Sequence, residues 1–129
     1  MMGSPMLNEK VVLLVDDEPS SLLTTASGLA TRGFTVQSVD GADAALKAMN
    51  ALKPSIIVSD LVMPGTNGFE LFERIRGESA FGSIPFVFLT SVDDYYAQKF
   101  GMKMGGAAYI TKPVDFNELE RILKEKLGE

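Results

Sequence analysis

Five short segments of the chain are rich in β-branched and aromatic residues. They alternate with longer segments in which apolar residues recur every three or four positions. The short apolar segments are typical of strands, and the longer periodic ones are typical of amphipathic helices. The predicted strands are 11–15, 34–39, 56–60, 85–89 and 107–111. The first, third and fourth are almost continuously apolar, which indicates strands buried on both faces.

The predicted helices begin at residues that favour helix N-termini. Pro19 suits the first turn of the first helix. Asp40 is expected to cap the second helix, and the third is expected to begin near Asn67. Periodicity predicts a fourth helix over residues 95–104 and a last helix that begins after Asp115. The chain is therefore expected to contain five helices.

Strand and helix alternate five times with short connections, which is the signature of a parallel sheet covered by helices on both faces. The three apolar strands belong in the middle of the sheet, and the second and fifth belong at its edges. These constraints favour the strand order 2-1-3-4-5 of a doubly wound, flavodoxin-like α/β fold. We predict one domain over residues 9–129, preceded by a flexible lead-in or expression remnant over residues 1–8.

The amino-acid composition and net charge of the chain exclude several classes of function. The chain has 129 residues and a net charge of −5, which argues against a general nucleic-acid surface. The lack of Cys excludes disulfides and thiolate metal sites and fits a reducing, cytoplasmic setting. No apolar run approaches the roughly 20 residues of a membrane span. The lack of His excludes imidazole metal ligands, Ser-His nucleophile pairs and a phosphohistidine on this chain.

Polar residues stand at the carboxyl ends of four predicted strands: Asp16, Asp17 and Glu18 after the first, Asp60 on the third, Thr90 after the fourth and Lys112 after the fifth. In an open parallel sheet, ligands bind at this edge, where the winding direction reverses. Two carboxylates about 4 Å apart repel by about 4 kcal/mol at an effective dielectric of 20, so a cation is expected between them. All-oxygen ligation favours Mg²⁺ over Ca²⁺.

Further motifs accompany these residues in a fixed order along the chain. They are Asp16-Asp17, Asp60 with Met63-Pro64-Gly65 and Gly68, Thr90-Ser91, Gly106-Ala107, Tyr109 and Lys112-Pro113. From about Lys10 to the last helix, the chain thereby resembles the receiver domain of a two-component response regulator. Each motif is weak alone, but the complete series at strand ends is a specific signal.

The resemblance implies a phosphoacceptor and a metal site. Asp60 is expected to take a phosphoryl group from a histidine on a partner kinase or a histidine phosphotransfer protein. Mg²⁺ is expected to bind the side chains of Asp17 and Asp60 and the backbone carbonyl of Val62, with Asp16 acting mostly through water. Because this chain has no His, the phosphoryl donor must be another molecule.

The resemblance also implies groups that respond to the phosphoryl group. Lys112 is expected to pair with the phosphorylated carboxyl group, and the Thr90 hydroxyl is expected to pair with a phosphoryl oxygen. Tyr109 is expected to turn inward as an aromatic switch when Thr90 moves. The bond between Lys112 and Pro113 is expected to be cis.

A module that binds partners under the control of phosphorylation, rather than a metabolic enzyme, is the function that the resemblance implies. The expected output is a change in the face formed by the predicted fourth helix, the fifth strand and the last helix. We predict that this face includes Tyr95, Lys99, Lys103 and Tyr109 and that it contacts a downstream protein or a second copy of the chain.

Three other functions are compatible with parts of the pattern. A metal-dependent phosphatase of the haloacid-dehalogenase type also forms an aspartyl phosphate, but it requires Asp-x-Asp, whereas Asp16 and Asp17 are adjacent. A flavodoxin-like FMN carrier has the same fold, but the acidic first loop would repel a phosphate. A receiver that signals by docking alone has no need for the complete acidic set.

Overall fold

The computed structural model describes residues 10–63, 65, 67–90 and 108–129. The strands are β1 (Val11–Val15), β2 (Thr35–Val39), β3 (Ile56–Asp60), β4 (Phe86–Thr90) and β5 (Ala108–Thr111). The helices of the described part are α1 (Pro19–Ala30), α2 (Ala42–Leu52), α3 (Gly68–Arg76) and the C-terminal helix (Phe116–Leu127). The predicted fourth helix and the predicted lead-in lie outside the described residues.

The five strands form one parallel sheet in the order β2-β1-β3-β4-β5. The predicted topology is therefore confirmed. All five residues of β3 and all five of β4 are buried, whereas β2 contains no fully buried residue. Both strands begin with at least three consecutive apolar residues, so both of their faces must be covered, and β3 and β4 therefore lie inside the sheet.

Two hydrophobic cores cover the two faces of the sheet. In β1, Leu13 and Val15 pack into the core formed with α2 and α3, while Val12 and Leu14 pack into the core formed with α1 and the C-terminal helix. This alternation follows from the period of two residues in a strand. Each fully buried Leu, Val or Ile contributes roughly 1.5–3 kcal/mol relative to an exposed position.

Capping residues set the helix starts, with one correction to the prediction. Asn67 accepts a hydrogen bond from the Glu70 amide at 3.0 Å, and Asp115 accepts bonds from two amides at the start of the C-terminal helix. The expectation that Asp40 caps α2 is wrong, because Gly41 is the N-cap and no side chain accepts a hydrogen bond there. The extended backbone of Gly41 (φ 175°, ψ 177°) places Asp40 one residue before the cap.

The length and apolarity of a helix decide whether it could cross a membrane. Among the residues that the structure describes, none of the helices combines the length and apolarity that a membrane crossing requires.

Candidate functional site

An acidic cluster forms where the carboxyl ends of β1 and β3 meet. Val15 pairs with Ser59 in the parallel register, so the next residues, Asp16 and Asp60, lie side by side. Carboxylate oxygens of Asp16, Asp17 and Asp60 lie within 4.8 Å of one another. Asp16 and Asp60 are only 1% and 8% exposed, whereas Asp17 is exposed. Two buried carboxylates therefore stand beside an accessible one.

Both carboxylate oxygens of Asp16 accept hydrogen bonds. Oδ1 accepts one from the Glu18 amide at 3.0 Å. Oδ2 accepts one from the Ser21 hydroxyl at 2.7 Å and another from the Lys112 ammonium group at 3.1 Å. Since an ionised carboxylate can be buried only when it is paired and hydrogen-bonded, these donors explain how Asp16 is accommodated.

Lys112 reaches the cluster from the end of β5, an edge strand of the sheet. It follows β5, and its amide donates to the carbonyl oxygen of Thr90. Its Nζ lies 3.6 Å from Asp60 Oδ1 and 3.1 Å from Asp16 Oδ2, with the side chain 19% exposed. The following bond, between Lys112 and Pro113, is cis, as predicted. One cation is thus placed between two buried carboxylates.

Asp60 has an environment that opposes its ionisation. Burial raises the pKa of its carboxyl group above the ordinary value, and the Lys112 charge partly counteracts that increase. The negative charges of Asp16 and, to a smaller extent, Asp17 raise the pKa further, while the Leu61 amide, which donates to Oδ1 at 3.0 Å, lowers it. The ionised form therefore gains most from an additional positive charge in the cluster.

The remaining predicted site residues lie around this cluster. Thr90 ends β4 beside β3 and is buried, and Val62, two residues after Asp60, is 66% exposed. Tyr109 pairs with Phe88 across β4 and β5, and the two ring centroids are 5.3 Å apart. The structure therefore brings Asp16, Asp17, Asp60 and Lys112 together, and it places Thr90 at the neighbouring strand end. The predicted partner face falls largely on residues 91–107, outside the described part.

Ser21 contacts the cluster, although the sequence pattern did not identify it as a site residue. It lies in the first turn of α1, where its hydroxyl contacts both Asp16 and Lys112. The available signal was its position: the first turn of a helix that directly follows an acidic strand end faces the same edge of the sheet. Ser21 and Lys112 also line a cavity of about 280 Å³ together with Thr25 and Pro113.

The donor set of this cluster fits a hard divalent cation. Three carboxylates within 4.8 Å of one another supply oxygen ligands, and the exposed position of Val62 lies next to them in the chain. Mg²⁺ binds one or two carboxylates and retains several waters, which suits a cluster that has one accessible carboxylate. Asp16, Asp17 and Asp60 are therefore the residues that can hold the metal.

Comparisons with known proteins agree with this fold. A family model described as the response regulator receiver domain matches residues 12–124. The protein PilH of Pseudomonas aeruginosa is 28% identical over 117 residues, which cover 91% of this chain and 97% of PilH. The response regulator Rre1 of Synechocystis is 32% identical over 118 residues, 91% of this chain but 51% of Rre1. The chain thus spans about half the length of Rre1.

A solved structure shows the same architecture. The chemotaxis protein CheY4 of Vibrio cholerae superposes with a TM-score of 0.84 at 26% identity, covering 91% of this chain and 98% of that one. The chain belongs to the response regulator receiver domain family of two-component systems. Members of this family are signalling domains rather than metabolic enzymes, and the match does not favour the phosphatase alternative.

Proposed function

We propose that this chain accepts a phosphoryl group on Asp60 from a phosphohistidine of a partner histidine kinase or histidine phosphotransfer protein. The observation that carries the proposal is the ion pair between the buried Asp60 carboxylate and Lys112, which lies in a cluster of carboxylates that can hold a divalent cation. Asp60 is 8% exposed and lies 3.6 Å from the Lys112 ammonium group, and its carboxylate adjoins those of Asp16 and Asp17.

The transfer exchanges one bond to phosphorus for another. A carboxylate oxygen of Asp60 forms a bond to phosphorus, and the bond between phosphorus and the donor's imidazole nitrogen breaks, with its electron pair remaining on that nitrogen. The transition state is loose, so the protein mainly positions groups and neutralises charge. Lys112 supplies one positive charge from its place beside Asp60. When bound by Asp16, Asp17 and Asp60, Mg²⁺ supplies charge neutralisation at the phosphoryl oxygens.

The signal follows from the added charge. A phosphoryl group brings nearly two negative charges to a cluster that already contains three carboxylates. We propose that the Thr90 hydroxyl and Lys112 respond to it and that Tyr109, which packs against Phe88, transmits the change. The face that the sequence predicts for residues 95–104 with β5 and the C-terminal helix is the one that we propose contacts a downstream protein or a second copy of the chain.

Intact-mass measurement tests the transfer. The protein is incubated with acetyl phosphate, a small acyl-phosphate donor, with and without Mg²⁺. We expect uptake of one base-labile phosphoryl group that requires Mg²⁺ and disappears in Asp60→Asn. The matched control is Asp43→Asn, which removes an exposed carboxylate on α2 and should leave uptake unchanged. Uptake that persists in Asp60→Asn but is lost in Asp16→Asn would contradict the assignment and favour phosphatase-type chemistry.

A further inference from the structure

The Ser21 hydroxyl connects Asp16 of the acidic cluster with Lys112. It donates to Asp16 Oδ2 at 2.7 Å, and its oxygen accepts a hydrogen bond from Lys112 Nζ at 3.1 Å. A hydroxyl has one proton to donate, and the donation to Asp16 directs its lone pairs towards Lys112. Ser21 is held in place by its own amide, which donates to Glu18 at 2.7 Å.

The Lys112 ammonium group has three protons, and the described part of the chain places three acceptors near it. Two of these acceptors, Asp16 Oδ2 and Ser21 Oγ, lie at hydrogen-bonding distance, 3.1 Å each. The third, Asp60 Oδ1, lies at 3.6 Å, beyond the usual range for such a bond. Lys112 is thus hydrogen-bonded to Asp16 and Ser21, whereas its contact with Asp60 is an ion pair without a hydrogen bond.

We propose that Ser21 is a positioning residue that keeps the Lys112 ammonium group on the Asp16 side and off Asp60 before phosphorylation. Without the hydroxyl, the acceptors that the described residues leave beside the ammonium group are the carboxylates of Asp16 and Asp60, and the ammonium group closes on Asp60. A hydrogen bond from an ammonium group occupies lone pairs of Asp60 and makes its carboxylate a poorer nucleophile.

The experiment compares wild type with Ser21→Ala, Ser21→Thr and Ser20→Ala. Ser21→Thr retains the hydroxyl. Ser20 is the matched control, because its hydroxyl lies in the same turn but donates to Glu18 rather than to Asp16. The first readout is the ¹⁵N NMR signal of the Lys112 ammonium group in metal-free, unphosphorylated protein, assigned by its loss in Lys112→Arg. The second is the rate of phosphoryl uptake from acetyl phosphate with Mg²⁺.

We expect Ser21→Ala to shift the Lys112 signal and to slow uptake by about threefold to tenfold, the range expected for the loss of one hydrogen bond. Ser21→Thr restores both readouts, and Ser20→Ala leaves both at wild-type values. A Lys112 signal that is unmoved in Ser21→Ala overturns the positioning role. A shifted signal with an unchanged uptake rate overturns its consequence for Asp60.

The two proposals fail separately. The effect of Ser21 on uptake rests on the proposed function, but the position of Lys112 in the unphosphorylated protein does not. If wild type takes up no phosphoryl group, the proposed function fails while the NMR comparison still tests Ser21.

Discussion

Gly68 leaves room for the backbone oxygen of Asp60. A β-carbon at position 68 would lie 2.6 Å from that oxygen and 3.0 Å from the α-carbon of Leu61. The Gly68 amide also donates to the Leu61 oxygen at 2.8 Å. The first turn of α3 is thus packed against the backbone of the residue that we propose as phosphoacceptor, and a side chain at position 68 must displace one or the other.

Gly68→Ala is expected to lower the free energy of unfolding by about 1–3 kcal/mol, the usual cost of overpacking. It is also expected to slow phosphoryl uptake, because the displaced backbone carries the Asp60 carboxylate. Urea unfolding and intact mass measure the two effects. Gly82→Ala is the control, since the nearest atoms to its β-carbon would be 3.6 Å away. Equal stability and uptake in the two variants would show that the packing at Gly68 is unimportant.

Asp60→Asn is expected to stabilise the metal-free protein at neutral pH. Burial raises the pKa of this carboxyl group, Lys112 opposes the increase, and Asp16 adds to it. A carboxyl group whose folded pKa exceeds its unfolded pKa destabilises the fold when it ionises. The stability difference from wild type should therefore be smallest below the unfolded-state pKa, should grow as the pH rises to the folded pKa, and should stay constant above it.

The two proteins are compared by urea unfolding in EDTA from about pH 3.5 to about pH 7.5. Asp43→Asn serves as the control, because it removes an exposed carboxylate on α2. A wild-type protein that is as stable as Asp60→Asn or more stable at neutral pH would contradict the raised pKa.

Lys112→Met is expected to lower the free energy of unfolding by about 3 kcal/mol, because it leaves the buried Asp16 carboxylate without its cation. The double variant Asp16→Asn with Lys112→Met should recover part of that loss, since it removes the unpaired charge. A double-mutant cycle in urea measures the coupling between the two residues. Strictly additive effects would mean that the ion pair contributes nothing to stability.

Mg²⁺ is expected to raise the free energy of unfolding of the wild type, and EDTA is expected to reverse the effect. At a concentration about 100 times its dissociation constant, a ligand that binds only the folded state stabilises by about 2.7 kcal/mol. Asp17→Asn should lose most of this stabilisation, whereas Asp43→Asn should retain it. Stabilisation of equal size in both variants would place the metal elsewhere.

The sheet topology and most of the site could be predicted because both depend on simple periodic patterns. A strand such as Ile56–Asp60, which begins with three consecutive apolar residues, has to be buried on both faces, which excludes it from an edge. Once the strands are parallel, their carboxyl ends share one edge, so Asp16, Asp60 and Lys112 must converge there. The start of α2 could not be predicted in the same way. Asp40 and Gly41 are adjacent and both residue types are favoured at helix N-caps, so the choice between them depends on where the backbone enters the helix.

The amino-acid sequence therefore determined the strand order, the family and the set of chemical groups at the edge of the sheet. Only the tertiary structure decided how those groups share hydrogen bonds: that Lys112 lies nearer to Asp16 than to Asp60, and that Ser21 joins them. The reason is one of scale. Apolar periodicity acts over whole elements, whereas the choice between acceptors at 3.1 and 3.6 Å depends on how α1 packs beside β1 and the end of β5.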